Sequence, residues 1–143
     1  MTKKEPGANV AGPQGNPRPQ APEGRVWSED YGMNYDRRNK KVVDRARSVP
    51  EAKWNTLPVE TLPAGTPLQA NEETLTKKSI DKVVSGAEPF REGYVIKLCR
   101  DNKGALHVVD GHHRVAMYHA LGKPMPVRIM DEVAYKRLVG ETG

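Results

Sequence analysis

The order of elements legible in the chain is strand, helix, hairpin, helix, strand, helix, and it predicts a mixed domain of α/β or α+β class. Three observations carry that expectation. Two β-rich runs flank the turn residues Asp101-Asn102-Lys103-Gly104; ten residues without a helix breaker lie between Gly111 and Gly122; and residues 1–24 stand apart in composition from everything that follows.

Residues 1–24 hold Pro6, Pro13, Pro17, Pro19 and Pro22 with Gly7, Gly12, Gly15 and Gly24, and hardly an apolar side chain larger than valine. Such a segment cannot bury enough apolar surface to offset the entropy of ordering, so a disordered tail is expected. From Arg25 the composition changes. Trp27, Tyr31, Met33 and Tyr35 are interleaved with charges, and Arg37, Arg38, Lys40, Lys41, Arg45 and Arg47 follow with Asp44 as the lone acid between positions 37 and 47. Six cations less one acid leave +5, which equals the net charge of the whole chain. Residues 25–53 therefore read as a basic and aromatic arm that docks on a partner, with a short helix ending near Ser48 and Pro50. A concentrated positive segment points to a polyanion such as nucleic acid, with the six cations as its candidate contacts; a protein partner docking on residues 25–50 and a merely solvated charge run are the alternatives.

A compact domain is expected over residues 54–143. Residues 56–62 read as a short edge strand, because Pro58 is tolerated only at an edge or a bulge. Asn71 offers an N-cap, Glu72 and Glu73 suit the positive end of a helix, and Ile80, Val83 and Val84 give it one apolar face before Gly86 ends it. Residues 94–99 and 105–109 predict a β-hairpin. Residues 112–121 predict a helix capped by Gly122 and followed by Pro124, and its apolar side chains run almost all the way round, so it should be buried on more than one side. A strand over 127–130 and a helix over 132–139 close the domain.

Composition narrows the functional classes. With 143 residues and 36% apolar content the chain has room for one domain with a modest core. Cys99 is the single cysteine, which excludes an intramolecular disulfide and a multi-cysteine zinc site and fits a reducing, cytoplasmic setting. Residues 1–25 lack the apolar run of a signal peptide, and no stretch of about 18 apolar residues could span a bilayer, so a soluble protein without a membrane partner is expected.

The chemistry concentrates in Asp110-Gly111-His112-His113-Arg114. His112 and His119 share a helix face, but seven residues at 1.5 Å rise separate them by about 10 Å, whereas both ligands of one zinc lie within about 2.1 Å of it. Adjacent His112 and His113 point about 100° apart on the helical wheel. No metal site is therefore expected from the histidines alone. An anion fits the pattern better. A strand passing through glycine into a helix leaves the first N–H groups unpaired at the positive end of the dipole, and Arg114 adds a fork of donors within the same turn. Two readings stay open on the residues alone. One is a phosphate cradle; the other is a tight turn at Gly111 with Asp110 as cap and solvated histidines.

The segment from about Leu57 to Met130 resembles the ParB-like domain of the ParB/sulfiredoxin superfamily. The resemblance rests on a Leu-Pro opening, Ser79-Ile80 on a helix ending at Gly86, Glu88-Pro89 before the hairpin, Val109-Asp110-Gly111-His112-His113-Arg114, Ala120-Leu121-Gly122 and the Val127-Arg128-Ile129 strand. It implies an α+β fold, a mixed sheet with flanking helices, preceded by the disordered tail. It also implies that Gly111, His112, His113 and Arg114 form a phosphate-binding box for nucleotide or nucleic acid. Sulfiredoxins carry a cysteine in the equivalent box, where this chain has histidines, so reductase activity is not implied. Partition proteins continue into a second phosphate motif and a helix-turn-helix module that this sequence does not show, so centromere clamping is not implied either.

Three functions remain open. The first is a stand-alone ParB-like domain, of the kind called a ParB-like nuclease and carried by phages and mobile elements. It would bind nucleotide or nucleic-acid phosphate, with or without hydrolysing it, in the cytoplasm of a bacterium or phage-infected host. The second is a kinase for a free amino acid, with Glu60 and Asp110 as candidate carboxylates. The third is an inactive binding or structural component. In the first, His113 or His112 would donate a proton to a leaving oxygen, and Asp110 would orient a histidine or hold Mg²⁺ with a bound nucleotide; no other cofactor is expected.

Overall fold

A computed structural model of the chain describes residues 19–91 and 93–140. Residues 1–18 of the expected disordered tail lie outside the described residues. Thirteen strands and α-helices follow in order among the described residues: β1 (Arg25–Trp27), β2 (Met33–Tyr35), α1 (Lys40–Arg47), α2 (Glu51–Trp54), β3 (Glu60–Leu62), β4 (Leu68–Ala70), β5 (Thr74–Thr76), α3 (Lys77–Val84), β6 (Ile96–Arg100), β7 (Leu106–Asp110), α4 (His112–Leu121), β8 (Met125–Met130) and α5 (Glu132–Val139). Six strands form one mixed sheet in the order β2-β4-β7-β6-β8-β3, and β1 pairs with β5 in a separate antiparallel ribbon. The fold is α+β, a mixed sheet with flanking helices.

Helices cover both faces of the sheet, which explains why β6 and β7 read as nearly continuous apolar runs. Ile96, Leu98 and Val108 face the cluster that includes Ile80 of α3 and Val115, Ala116 and Tyr118 of α4. Cys99 and Val109 face the opposite cluster, with Val43 and Ala46 of α1, Trp54 of α2 and Ala134 of α5. The hairpin β6–β7, helix α4 and helix α5 fall where the sequence predicts them. Gly122 closes α4 at φ 67°, and the Asp131 carboxylate caps α5 by accepting from the Ala134 N–H at 2.8 Å. Helix α4 is buried on several sides, as its wheel predicts.

Other expectations change. The edge strand predicted over 56–62 shortens to β3, which pairs antiparallel with β8 only after Pro58 has passed. Asn71 does not cap a helix: α3 begins six residues later, and Leu75, fully buried between Thr74 and Thr76, places that stretch in β5 instead. Arg25 of β1 fixes it there, its guanidinium donating to the hydroxyls of Thr74 and Thr76 at 3.1 and 3.0 Å. On α3 the core side chain is Ile80, 1% exposed, whereas Val84 is 46% exposed and does not join an apolar face.

Residues 25–53 dock on this same chain. Strand β2 forms an edge of the large sheet, parallel to β4, and α1 lies across β7 and β6. Trp54 of α2 locks the contact, its buried indole N–H donating to the Ala46 carbonyl at 3.2 Å. The sequence boundary at residue 54 thus separates segments that share one core.

Candidate anion site at the start of the central helix

Strand β7 runs into α4 through Gly111, whose φ of 110° lies in the left-handed region that disfavours any side chain. Space is also short: a Cβ there would sit 3.3 Å from Ile96 Cγ1 and 3.4 Å from Tyr94 Cε1. Gly111 offers no capping side chain, and Asp110 does not supply one in its place. The Asp110 carboxylate instead accepts from the Tyr94 hydroxyl at 3.1 Å. The N–H groups of the first α4 turn have no carbonyl within the helix to bond, and the chain brings them to the carboxyl ends of the parallel strands β4 and β7.

Arg114 lies in this first turn. Its guanidinium carbon is 5.1 Å from the ring centre of Tyr94 and 5.2 Å from that of Phe90, with a nitrogen 3.9 Å from Met117 Sδ. Aromatic faces attract a guanidinium without cancelling its charge. Burial raises the Tyr94 phenol, and the neighbouring Asp110 carboxylate raises it further, so the hydroxyl stays protonated and keeps its bond to Asp110. A second cation approaches from α1: Arg47 donates to the Val109 carbonyl at 2.9 Å and lies 3.6 Å from the Asp44 carboxylate. Lys97, the cross-strand partner of Asp110, reaches the other way to Glu51 and over the Trp54 ring.

The two histidines are engaged with backbone. His112 is 3% exposed; its Nε2 accepts from the Asn71 N–H at 3.3 Å and its Nδ1 lies 3.4 Å from the Glu72 carboxylate. Burial drives its pKa down to about 4, against the pull of Glu72 and with the push of Arg47 and His113. His113 Nε2 accepts from the Thr76 N–H at 2.9 Å, and burial lowers its pKa too. Both rings are therefore neutral near pH 7. His119 lies elsewhere, edge-on to Tyr31 and against Gly32. Among the described residues no group of three or more His, Cys, Asp or Glu side chains is placed to hold a metal ion. Glu60, the other carboxylate considered for phosphoryl transfer, lies on edge strand β3, three strands from β7.

The arm cations divide. Arg38 pairs with Asp36, Lys40 with Asp44, Arg45 with Glu132, and Arg47 with Asp44 and the Val109 carbonyl. Arg37 and Lys41 are exposed, without a bonded carboxylate among the described residues. An open groove along α3, lined by Lys77, Lys78, Asp81 and Lys82, includes no residue of the box.

Sequence reasoning places Asp110, Gly111 and Arg114 together. It misses Phe90, Tyr94, Asn71 and Glu72. Phe90 sits in the loop before β6, where no periodicity marks it; Tyr94, placed by the sequence at the start of a strand over 94–99, stands two residues before β6 begins at Ile96; and Asn71 takes part through its peptide N–H, which has no signature in a sequence. Among the described residues no helix is long and apolar enough to cross a membrane. No protein-family model matches the chain, and no curated protein and no solved structure matches it either.

Proposed function

We propose that the chain is a ParB-like domain that binds nucleotide or nucleic-acid phosphate at Asp110-Gly111-His112-His113-Arg114. The observation that carries this reading is the junction itself: a left-handed glycine, an uncapped first turn, and an arginine in that turn held by two aromatic rings, with no bonded carboxylate among the described residues. Peptide N–H groups at a helix start and a guanidinium fork are complementary to phosphate oxygens. The half-exposed Tyr94 ring beside Arg114 gives a base a surface to stack on, which favours a nucleotide over bare phosphate. Asp110, at the mouth of the junction, is the carboxylate that would share Mg²⁺ with the phosphates. Between hydrolysis and binding alone, the engagement of both histidines with backbone N–H groups favours binding, since neither Nε2 is left to serve a substrate.

Calorimetry with nucleoside di- and triphosphates, with and without Mg²⁺, tests the reading, with serine and a short DNA duplex as the other arms. Arg114→Ala should weaken nucleotide binding by about 1.5 to 3 kcal/mol, the range for a charge-assisted hydrogen bond. Unchanged affinity in a folded variant removes the cradle. Binding of serine together with a nucleoside triphosphate would shift the reading to an amino-acid kinase.

A further inference from the structure

The two box histidines meet the segment 71–76 in the same way. His112 takes the Asn71 N–H and His113 takes the Thr76 N–H, each with Nε2. A neutral imidazole has one lone-pair nitrogen, so acceptance at Nε2 puts the ring proton on Nδ1 in both residues. In His112 that nitrogen lies 3.4 Å from the Glu72 carboxylate. The segment so held contains β5, which in turn holds β1 through Arg25. The charged groups around the rings are few. His112 faces Glu72 from the loop before β5, Arg47 from α1, and its neighbours His113 and Asp110; His113 faces Glu72 and Arg25.

We infer that His112 and His113 are positioning residues for the box: a paired latch that, in the neutral Nδ1–H form, fastens residues 71–76 to the first turn of α4 and releases them on protonation. A protonated ring presents N–H at both nitrogens, so each Nε2–H would confront a backbone N–H and leave it without an acceptor. The function of the latch rests on the proposed phosphate reading of the box, because what it steadies is the turn that carries Arg114 and the open N–H groups. The latch itself is a statement about two hydrogen bonds and stands or falls separately.

Nitrogen-resolved NMR of the full chain at neutral pH should show a pyridine-like Nε2 and a protonated Nδ1 in both rings. An Nε2–H tautomer or an imidazolium in either ring overturns the latch. Amide exchange at Asn71 and Thr76, taken relative to the intrinsic rate at each pH, gives the second measurement. The folded-state pKa values lie below the free imidazole value of about 6.5, so protection should be full above that pH and fall as the pH drops toward about 4 for Asn71. His113→Gln keeps an acceptor near the Nε2 position with no titrating proton. It should hold Thr76 protection near wild type and remove its pH dependence, while His113→Ala should lower that protection roughly tenfold or more. Equal protection in all three proteins overturns the proposal, as does pyrophosphate affinity that is unchanged in His113→Ala while Thr76 is unprotected. Affinity that rises in acid in wild type but not in His113→Gln would make His113 a direct phosphate contact and overturn positioning. If no protein, wild type included, binds pyrophosphate, the phosphate reading fails while the tautomer and exchange results still decide the latch.

Discussion

The box and the basic arm hold their cations by different means. Arg114 leans on the rings of Phe90 and Tyr94 with no bonded carboxylate among the described residues, while Arg38, Lys40, Arg45 and Arg47 of the arm lie against Asp36, Asp44 and Glu132, Arg45 being also 4.3 Å from the centre of the Tyr135 ring. A carboxylate within bonding distance cancels most of the field that a cation sends into solvent, whereas an aromatic face leaves it available to a ligand. When Asp36 and Glu132 are counted with Asp44, the six arm cations are reduced to a local +3. A run of positive residues in a sequence thus overstates the charge that reaches a partner.

The largest expected effect tests whether the arm is a separable appendage. Trp54→Ala should cost about 3 to 5 kcal/mol in urea unfolding, because it empties a buried site that joins α1 to the sheet and removes the bond to the Ala46 carbonyl. A loss below about 1 kcal/mol would mean that the two regions pack independently after all. Next comes the box. Gly111→Ala should destabilise by about 1 to 2 kcal/mol, since an L side chain must adopt the left-handed conformation and also press on Ile96 and Tyr94. A neutral substitution would show that the junction relaxes and that its geometry is not held. The smallest effect separates the cations within the arm. For binding to a short DNA duplex, Arg37→Ala or Lys41→Ala should each reduce the log–log salt slope by about 1, and Arg45→Ala by less, because Glu132 already holds its guanidinium. Equal slopes for all three would erase the distinction between paired and unpaired cations.

Where the chain punctuates itself, its fold is legible. Gly122 and Asp131 mark the end of α4 and the start of α5 because each performs a local task, a left-handed exit and a side-chain cap, that depends on near neighbours only. The three-residue strands β4 and β5 carry too little pattern to read, and between them Asn71 imitates a cap, since its residue type suits that role wherever it stands. The site divides likewise. Gly111 and Arg114 are close in sequence and in space, so their pairing is visible early. The partners of the histidines lie 41 and 37 residues away and act through peptide N–H groups, which every residue except proline carries. The arm shows the same limit. Asp36 and Asp44 are close enough in sequence to be counted against its cations, but Glu132 joins them only through the packing of α5 beside α1.

Cys99 gives the docking of the arm a chemical clock. The thiol is 3% exposed beneath α1, its sulfur 4.0 Å from the Val42 carbonyl, and burial pushes its pKa up to about 12. Because the thiolate is the reactive form, an alkylating reagent must wait until the helix lifts and both access and ionisation are restored. As the only sulfhydryl in the chain it yields a single labelling event per molecule. The rate of that event times the opening of one layer of the fold without any dye, tag or substitution.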